Sequence, residues 1–310
     1  MKGLILKGTN NFFSVECEDG IIRTCTIKGK VLKSCEGFYN PLAVGDFVYI
    51  EPDIHSQDEG IILDVTERKN CFLRKNPKLN SPQLLAANVD VLLCVSSAAN
   101  PPFRPRFIDR LLVQAGIQHI TPLILINKCD LGISFDAAER IEDWKRLGYE
   151  VLCVSAKTKD GIDSLIKRLD GLTAVFAGQS GVGKSSLLNS ISPGLHLRTA
   201  EISDKYDRGT HTTTQGLFLK IKVKDLSGDE HILHIIDTPG VRNFSVWGIH
   251  KEEAALYFPE IEKLLGMCKF GLSCSHTHEQ GCAVLEAVKN GEIHPDRYTG
   301  WQLLKEEISK

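Results

Sequence analysis

The sequence has 310 residues, 42% of them hydrophobic, and a net charge of -2 at pH 7. That length admits two or three globular domains with a substantial buried core, and the near-neutral charge confines any nucleic-acid surface to a local basic patch. There is no signal-peptide core and no apolar run long enough to cross a membrane, and seven of the ten cysteines are scattered, so a cytoplasmic protein in a reducing compartment is expected.

Residues 1–67 read as short strands at 4–7, 12–17, 21–27, 47–50 and 61–65, broken by the turn signals Asp19-Gly20, Lys28-Gly29 and Gly45-Asp46. Five short strands predict a small barrel, and the oligonucleotide-binding type fits that count. Such a barrel either carries RNA or only packs on its neighbour. Residues 68–82, a basic linker without one acidic residue, favour RNA: Arg68, Lys69, Arg74, Lys75 and Lys78 are clustered cations suited to phosphate contacts.

From residue 83 the period changes to alternating strands and helices. Strands are expected at 89–95, 122–126, 151–154, 172–177 and 231–236, with helices at 107–119, 137–147 and 162–169 and another opening after Lys184-Ser185, a mostly parallel sheet. Pro101-Pro102-Phe103-Arg104-Pro105 reads as a rigid surface loop.

Motifs sit at the carboxyl ends of these strands, where open α/β sheets bind ligands. Asn127-Lys128-Cys129-Asp130 offers a carboxylate that can accept two hydrogen bonds from guanine N1 and N2, a donor pair adenine lacks. Asn127 and Asp130 are read as choosing the base, with Lys128 along it, and Ser155-Ala156-Lys157 as placing a backbone N–H on guanine O6. Gly178-Gln179-Ser180-Gly181-Val182-Gly183-Lys184-Ser185, followed by Ser186, fits a phosphate-binding loop. Its glycines let N–H groups curl around phosphates, Lys184 reaches the β and γ phosphates, and Ser185 can ligate Mg²⁺. Residues 198–215 lack periodicity and include Arg208-Gly209-Thr210-His211-Thr212-Thr213-Thr214, a loop suited to a first switch. Asp237-Thr238-Pro239-Gly240 places a carboxylate near the metal and the Gly240 N–H near the γ-phosphate. Together they predict a GTP/GDP site with Mg²⁺.

Many GTPases carry glutamine after that glycine to orient water, whereas this chain has Val241. Slow intrinsic hydrolysis is expected, with the missing group supplied by a partner or by His211, which either orients water or contacts solvent or RNA. Residues 241–247 run directly into residues 248–310, so the second switch is tethered to the last domain. There Cys268, Cys274, His276 and Cys282 form a candidate structural Zn²⁺ site, with His278 as an alternative to His276, and helices are expected at 283–290 and 298–308.

The order of motifs is unusual. Ordinary GTPases place the phosphate loop first and the guanine-reading pair last; here the pair comes first. In this order, in its N-terminal β-rich segment and in its C-terminal Cys/His cluster, nearly the whole chain resembles the circularly permuted, ribosome small-subunit-dependent GTPase A family. The resemblance implies three parts: an oligonucleotide-binding barrel over 1–67 placed on ribosomal RNA, a permuted GTPase domain over 83–247, and a zinc-binding helical domain over 248–310. It also implies that the switch threonine lies within 212–214, Thr213 being preferred, and that Cys-Cys-His-Cys ligates zinc. The first gap here is one residue longer than the family's usual one, which makes Cys268 the least typical ligand. GTP hydrolysis stimulated by the small ribosomal subunit, in late maturation of that subunit, is the expected function. The competing expectation is an RNA-binding assembly factor that uses GTP as a structural switch with little turnover. An ATPase would require Asp130 to be incidental. Nothing in the sequence demands more than a monomer.

Overall fold

The computed structural model describes residues 1–9, 11–27, 37–76, 79–195, 216–238 and 244–309. Strands β1 (Lys2–Thr9), β2 (Phe12–Cys17), β3 (Ile22–Ile27), β4 (Phe47–Pro52) and β5 (Glu59–Val65) lie in the order β1-β2-β3-β5-β4, and β4 returns to pair with β1. This closes the five-stranded barrel read from the sequence. Period-2 alternation points Phe13, Val15, Cys25, Val48, Ile50 and Ile62 inward, where they are buried together.

Residues 68–82, expected as a basic linker, contain β6 (Cys71–Lys75), which pairs antiparallel with β7 (Pro82–Ala87). Apolar burial outweighs the charges there. Phe72 is completely buried and stacks on Phe244 with ring centroids 5.6 Å apart. Arg68 turns back to the barrel, where its guanidinium donates to both carboxylate oxygens of the buried Asp46 at 2.6 and 2.9 Å, and Lys69 pairs with Asp90 at 2.5 Å. Two of the cations read as phosphate contacts are therefore held by carboxylates of this chain.

The nucleotide-type domain follows as β8 (Val91–Ser97), α1 (Pro105–Ile117), β9 (Thr121–Asn127), α2 (Phe135–Arg146), β10 (Glu150–Cys153), α3 (Ile162–Leu169), β11 (Thr173–Gly178), α4 (Lys184–Ile191), β12 (Leu217–Lys224) and β13 (Glu230–Asp237). Pro105, read as part of a loop, opens α1, because a proline in the first turn lacks only an N–H that would be unpaired anyway. The spatial order is β10-β9-β8-β11-β13-β12, parallel except for β12. The chain winds outward from β8 to β10, then returns to place β11 on the other side of β8. That reversal is a switch point of the kind at which α/β sheets bind ligands.

Alternate residues of β8 supply the two cores. Leu92 and Cys94 pack with Ile108, Leu111 and Trp144 of α1 and α2, while Val91, Leu93 and Val95 pack with Leu165, Ile166, Leu187 and Leu188 of α3 and α4. The first core continues into the C-terminal segment through Phe258, Ile261, Trp301 and Leu304. That segment contains the short turns Glu253–Tyr257 and Pro259–Glu262, then α5 (Ala283–Lys289) and α6 (Pro295–Ile308). β12, which was not anticipated, also meets β1 at Lys7 and Leu217, so barrel and nucleotide domain form one continuous sheet.

Candidate nucleotide and metal sites

Strand β11 delivers the phosphate loop and α4 receives it. Gly178 lies so close to β8 that a Cβ there would come within 2.6 Å of the Val95 carbonyl oxygen. Gly183 caps α4 with φ of +96°, a left-handed backbone, and a Cβ would lie 2.3 Å from Asn127 Nδ2. The sequence therefore needs glycine at both positions for space, and at Gly183 for conformation too. Val182 is buried, anchoring the loop, while Ser180 and Gly181 are exposed. Lys184 Nζ donates to the carbonyls of Gly178 and Gln179 at 2.6 and 3.1 Å. Burial brings the Lys184 ammonium down to about 8, opposed by Asp237, and burial raises the Asp237 carboxyl, opposed by Lys184. Charges in such a low-dielectric recess act more strongly on an anion than they would in water.

The guanine-reading residues are braced against this loop. Asn127 ends β9, donates through Nδ2 to the Val182 carbonyl at 2.9 Å, and accepts from the Ala156 N–H at 3.2 Å. It therefore ties the phosphate loop to the Ser155-Ala156-Lys157 loop. Lys128, in a left-handed backbone at φ of 64°, donates to the carbonyls of Asn100 and of Gly181, the latter at 2.8 Å. Ser155, buried after β10, donates to Asp130 Oδ1 at 2.7 Å and accepts the Thr158 N–H at 3.1 Å. Asp130 itself is exposed and Lys157 likewise. Asn100 and Thr158 were missed because backbone contacts of this kind leave no sequence motif.

Asp237 ends β13 beside Phe176 of β11, and Thr238 donates to the Phe176 carbonyl at 2.9 Å. Ser185 and Ser186 lie in the first turn of α4. A hydroxyl in the first turn of α4 and a carboxylate at the end of β13 suit a hard cation such as Mg²⁺. The candidates His211, Thr212, Thr213 and Thr214 of the first switch, and Gly240 and Val241 of the second, lie outside the described residues.

The chain leaving the second switch is held tightly. The Ser245 carbonyl accepts the Lys75 N–H of β6 at 3.0 Å. Gln114, fully buried on α1, accepts the Trp247 N–H at 2.9 Å and donates to the Trp247 carbonyl at 3.2 Å. The C-terminal segment is fixed to the same helix by buried charges. Arg297 donates to Asp109 at 2.8 Å and to both oxygens of Glu260 at 2.6 and 3.0 Å, while Arg140 donates to both oxygens of Asp109 at 3.1 and 2.9 Å. Spread over four elements, these residues carry no local pattern, and sequence reasoning did not find them.

Cys268, Cys274, His276 and Cys282 converge: their ligand atoms all lie within 4.8 Å of one another and all four residues are buried. His276 Nδ1 is 3.4 Å from the sulfurs of both Cys268 and Cys282. Burial lowers the His276 pKa, favouring the neutral imidazole that a metal needs. His278 is exposed and bonded to Thr277, so His276 is the histidine of the cluster, and the longer first gap still brings Cys268 into it. Three thiolates and one imidazole match a closed tetrahedral Zn²⁺ set. Tyr298 and Gln302 of α6 fix the His276 carbonyl at 2.7 and 3.1 Å.

Residues 65–247 match the RsgA GTPase family model and residues 2–62 the RsgA N-terminal domain. A small ribosomal subunit biogenesis GTPase RsgA from Bacteroides fragilis is 36% identical over 314 residues, covering 99% of this chain and 97% of that protein. Its counterpart from Borrelia recurrentis is 38% identical over 307 residues, covering 99% and 94%. The crystal structure of YjeQ from Thermotoga maritima superposes with a TM-score of 0.70 at 33% identity over 99% of this chain and 98% of that one. YloQ, a circularly permuted GTPase, gives 0.65 at 31% identity, covering 99% and 94%.

Proposed function

The chain belongs to the RsgA family of GTPases, and on that premise we propose that it hydrolyses GTP during late maturation of the small ribosomal subunit, with that subunit as activator. The observation that carries the reading is the meeting of the β9, β10, β11 and β13 carboxyl ends at one end of the sheet, although their motifs occur in permuted order along the chain. Asp130 selects guanine, oriented by Ser155, and Lys128 lies along the base. Lys184 and the N–H groups of 178–186 bind the phosphates and stabilise charge that develops as water attacks the γ-phosphate, giving GDP and phosphate. Ser185, Asp237 and Thr213 would hold Mg²⁺, which when bound neutralises phosphate charge. The Cys/His set would hold one structural Zn²⁺ that staples the C-terminal segment.

The Val241 side chain offers no hydrogen bond to water, which supports slow turnover by the isolated chain and completion of the site by the partner, with His211 a candidate from within. The same valine favours a second reading, a cytoplasmic RNA-binding assembly factor for which GTP is a switch with little turnover. The barrel and the remaining cations of residues 68–82 are the surface proposed for ribosomal RNA, with the chain acting as a monomer. Steady-state GTP hydrolysis by the protein alone, with small subunits and with large subunits separates the readings. Strong stimulation by small subunits only supports the enzyme; tight GTP-dependent binding to them without turnover supports the switch.

A further inference from the structure

Two cysteines flank the proposed guanine loops without serving them. Cys129 occupies the free position of Asn127-Lys128-Cys129-Asp130, and Cys153 ends β10 two residues before Ser155. Strands β9 and β10 are parallel with Cys153 opposite Ile126, at the usual interstrand spacing of about 4.8 Å. The Cys129 thiol donates to the Ile126 carbonyl at 3.0 Å, and the Cys129 N–H to the Val154 carbonyl at 3.2 Å. The turn is thus folded back over the end of β10, and the Cys129 sulfur rests on the same Ile126 carbonyl that accepts the N–H of Val154, the residue next to Cys153, at 2.8 Å. Cys153 is exposed and Cys129 half-buried. The neighbouring Cys129 thiol, helped by the Lys145 ammonium, brings the Cys153 thiol down to about 7 against the effect of burial. That same contact, together with burial, pushes Cys129 up. At neutral pH the exposed sulfur is thiolate in part, whereas its neighbour keeps its proton.

We propose that Cys153 and Cys129 form a reversible thiol–disulfide switch on the guanine-binding loops, with a peroxide as oxidant. The Cys153 thiolate attacks one oxygen of hydrogen peroxide; the O–O bond breaks, hydroxide leaves, and Cys153 becomes a sulfenic acid. Cys129 then attacks the Cys153 sulfur; its proton and the departing hydroxide form water, the S–O bond breaks and the S–S bond forms. The first hydroxide takes up the proton that Cys153 released on ionising, so two thiols lose two electrons in all and one peroxide becomes two waters. Closing the sulfurs to about 2.05 Å draws together the turn that carries Asp130 and the strand that leads to Ser155. It also removes the Cys129 donation to Ile126. Asp130 and Ser155 are bonded to each other across these same segments, so the carboxylate is displaced from the position that reads guanine.

The inference rests on the guanine site proposed above, and a preference of the reduced protein for GDP over ADP tests that assignment separately. The full, zinc-loaded chain is then treated with hydrogen peroxide, titrated with fluorescent GDP, digested for mass spectrometry and titrated again after dithiothreitol. Expected is a peptide pair joined through Cys129 and Cys153, with GDP affinity falling roughly tenfold, as for loss of one charge-assisted hydrogen bond, and recovering on reduction. Cys153→Ser is expected to abolish both effects, and Cys129→Ser to leave a sulfenic acid that dimedone traps at Cys153. The proposal is overturned if the joined peptide is absent, if it forms with unchanged affinity, or if Cys153→Ser loses affinity to peroxide equally.

Discussion

Ser155 donates to one oxygen of Asp130 at 2.7 Å, which fixes the direction in which the other points. Asp130→Asn replaces a charged acceptor with an amide that cannot accept two hydrogen bonds from guanine at once. GTP affinity is expected to fall about a hundredfold, with binding of ATP unchanged; equal losses for both nucleotides in a competition titration would refute the role. Lys184 gives the pH dependence. With its pKa lowered by burial to about 8, the lysine is a cation below that pH and neutral above it. Above about pH 8, phosphate binding must therefore take up a proton, and GDP affinity is expected to fall by up to about tenfold per pH unit until the pKa of the bound state is passed. A titration from about pH 7 to about pH 9.5 that stayed flat would show that Lys184 is not the group engaged.

The strands that deliver motifs were legible as elements, because each is a short apolar run, and β9, β11 and β13 end in Asn, Gly and Asp where the backbone turns. The central ones are buried on both faces, as at β8, where every residue is buried. Other elements escaped. In β12 three lysines, at 220, 222 and 224, share the strand with apolar residues, and only pairing with both β13 and β1 shows its place. In 68–82 the charges dominate the reading, although Phe72 decides the packing. The β12–β13 hairpin also has a pH-sensitive fastening: His231 lies 3.1 Å from Asp170 and 3.3 Å from Asp225, with Lys167 3.1 Å from Asp225. Pairing with Asp170, then with Asp225, raises the His231 pKa above 6.5 despite burial. The fastening is complete below the unfolded value of about 6.5 and is lost as pH rises through the raised folded value. Hydrogen-exchange protection of residues 225–231, corrected for intrinsic rates, is expected to drop over that interval in the native chain and not in His231→Gln.

At the scale of the molecule, the C-terminal segment is joined to α1 by charge as well as by core. Arg297 is almost fully buried between Asp109 and Glu260. Arg297→Ala would strand two buried carboxylates and is expected to cost about 3–5 kcal/mol, whereas a matched apolar replacement of the whole cluster need not. Urea denaturation that showed less than about 1 kcal/mol would place the joint elsewhere, since that is the range of an exposed pair. The three-part architecture and the permuted order were readable because each part has its own local signature. The joints were not, because Arg297, Asp109, Glu260 and Gln114 acquire partners only through tertiary contact.

The single register of Lys7 with Leu217 joins a strand from the first tenth of the chain to one from its last third. During synthesis the barrel emerges first and can close on itself through β1 and β4, without waiting for β12. The seam can therefore form only after most of the chain has left the ribosome, making it a late, long-range contact with a high loop-closure cost. Docking of the barrel is accordingly expected among the last steps by which a newly made chain matures, after the barrel has a fold of its own.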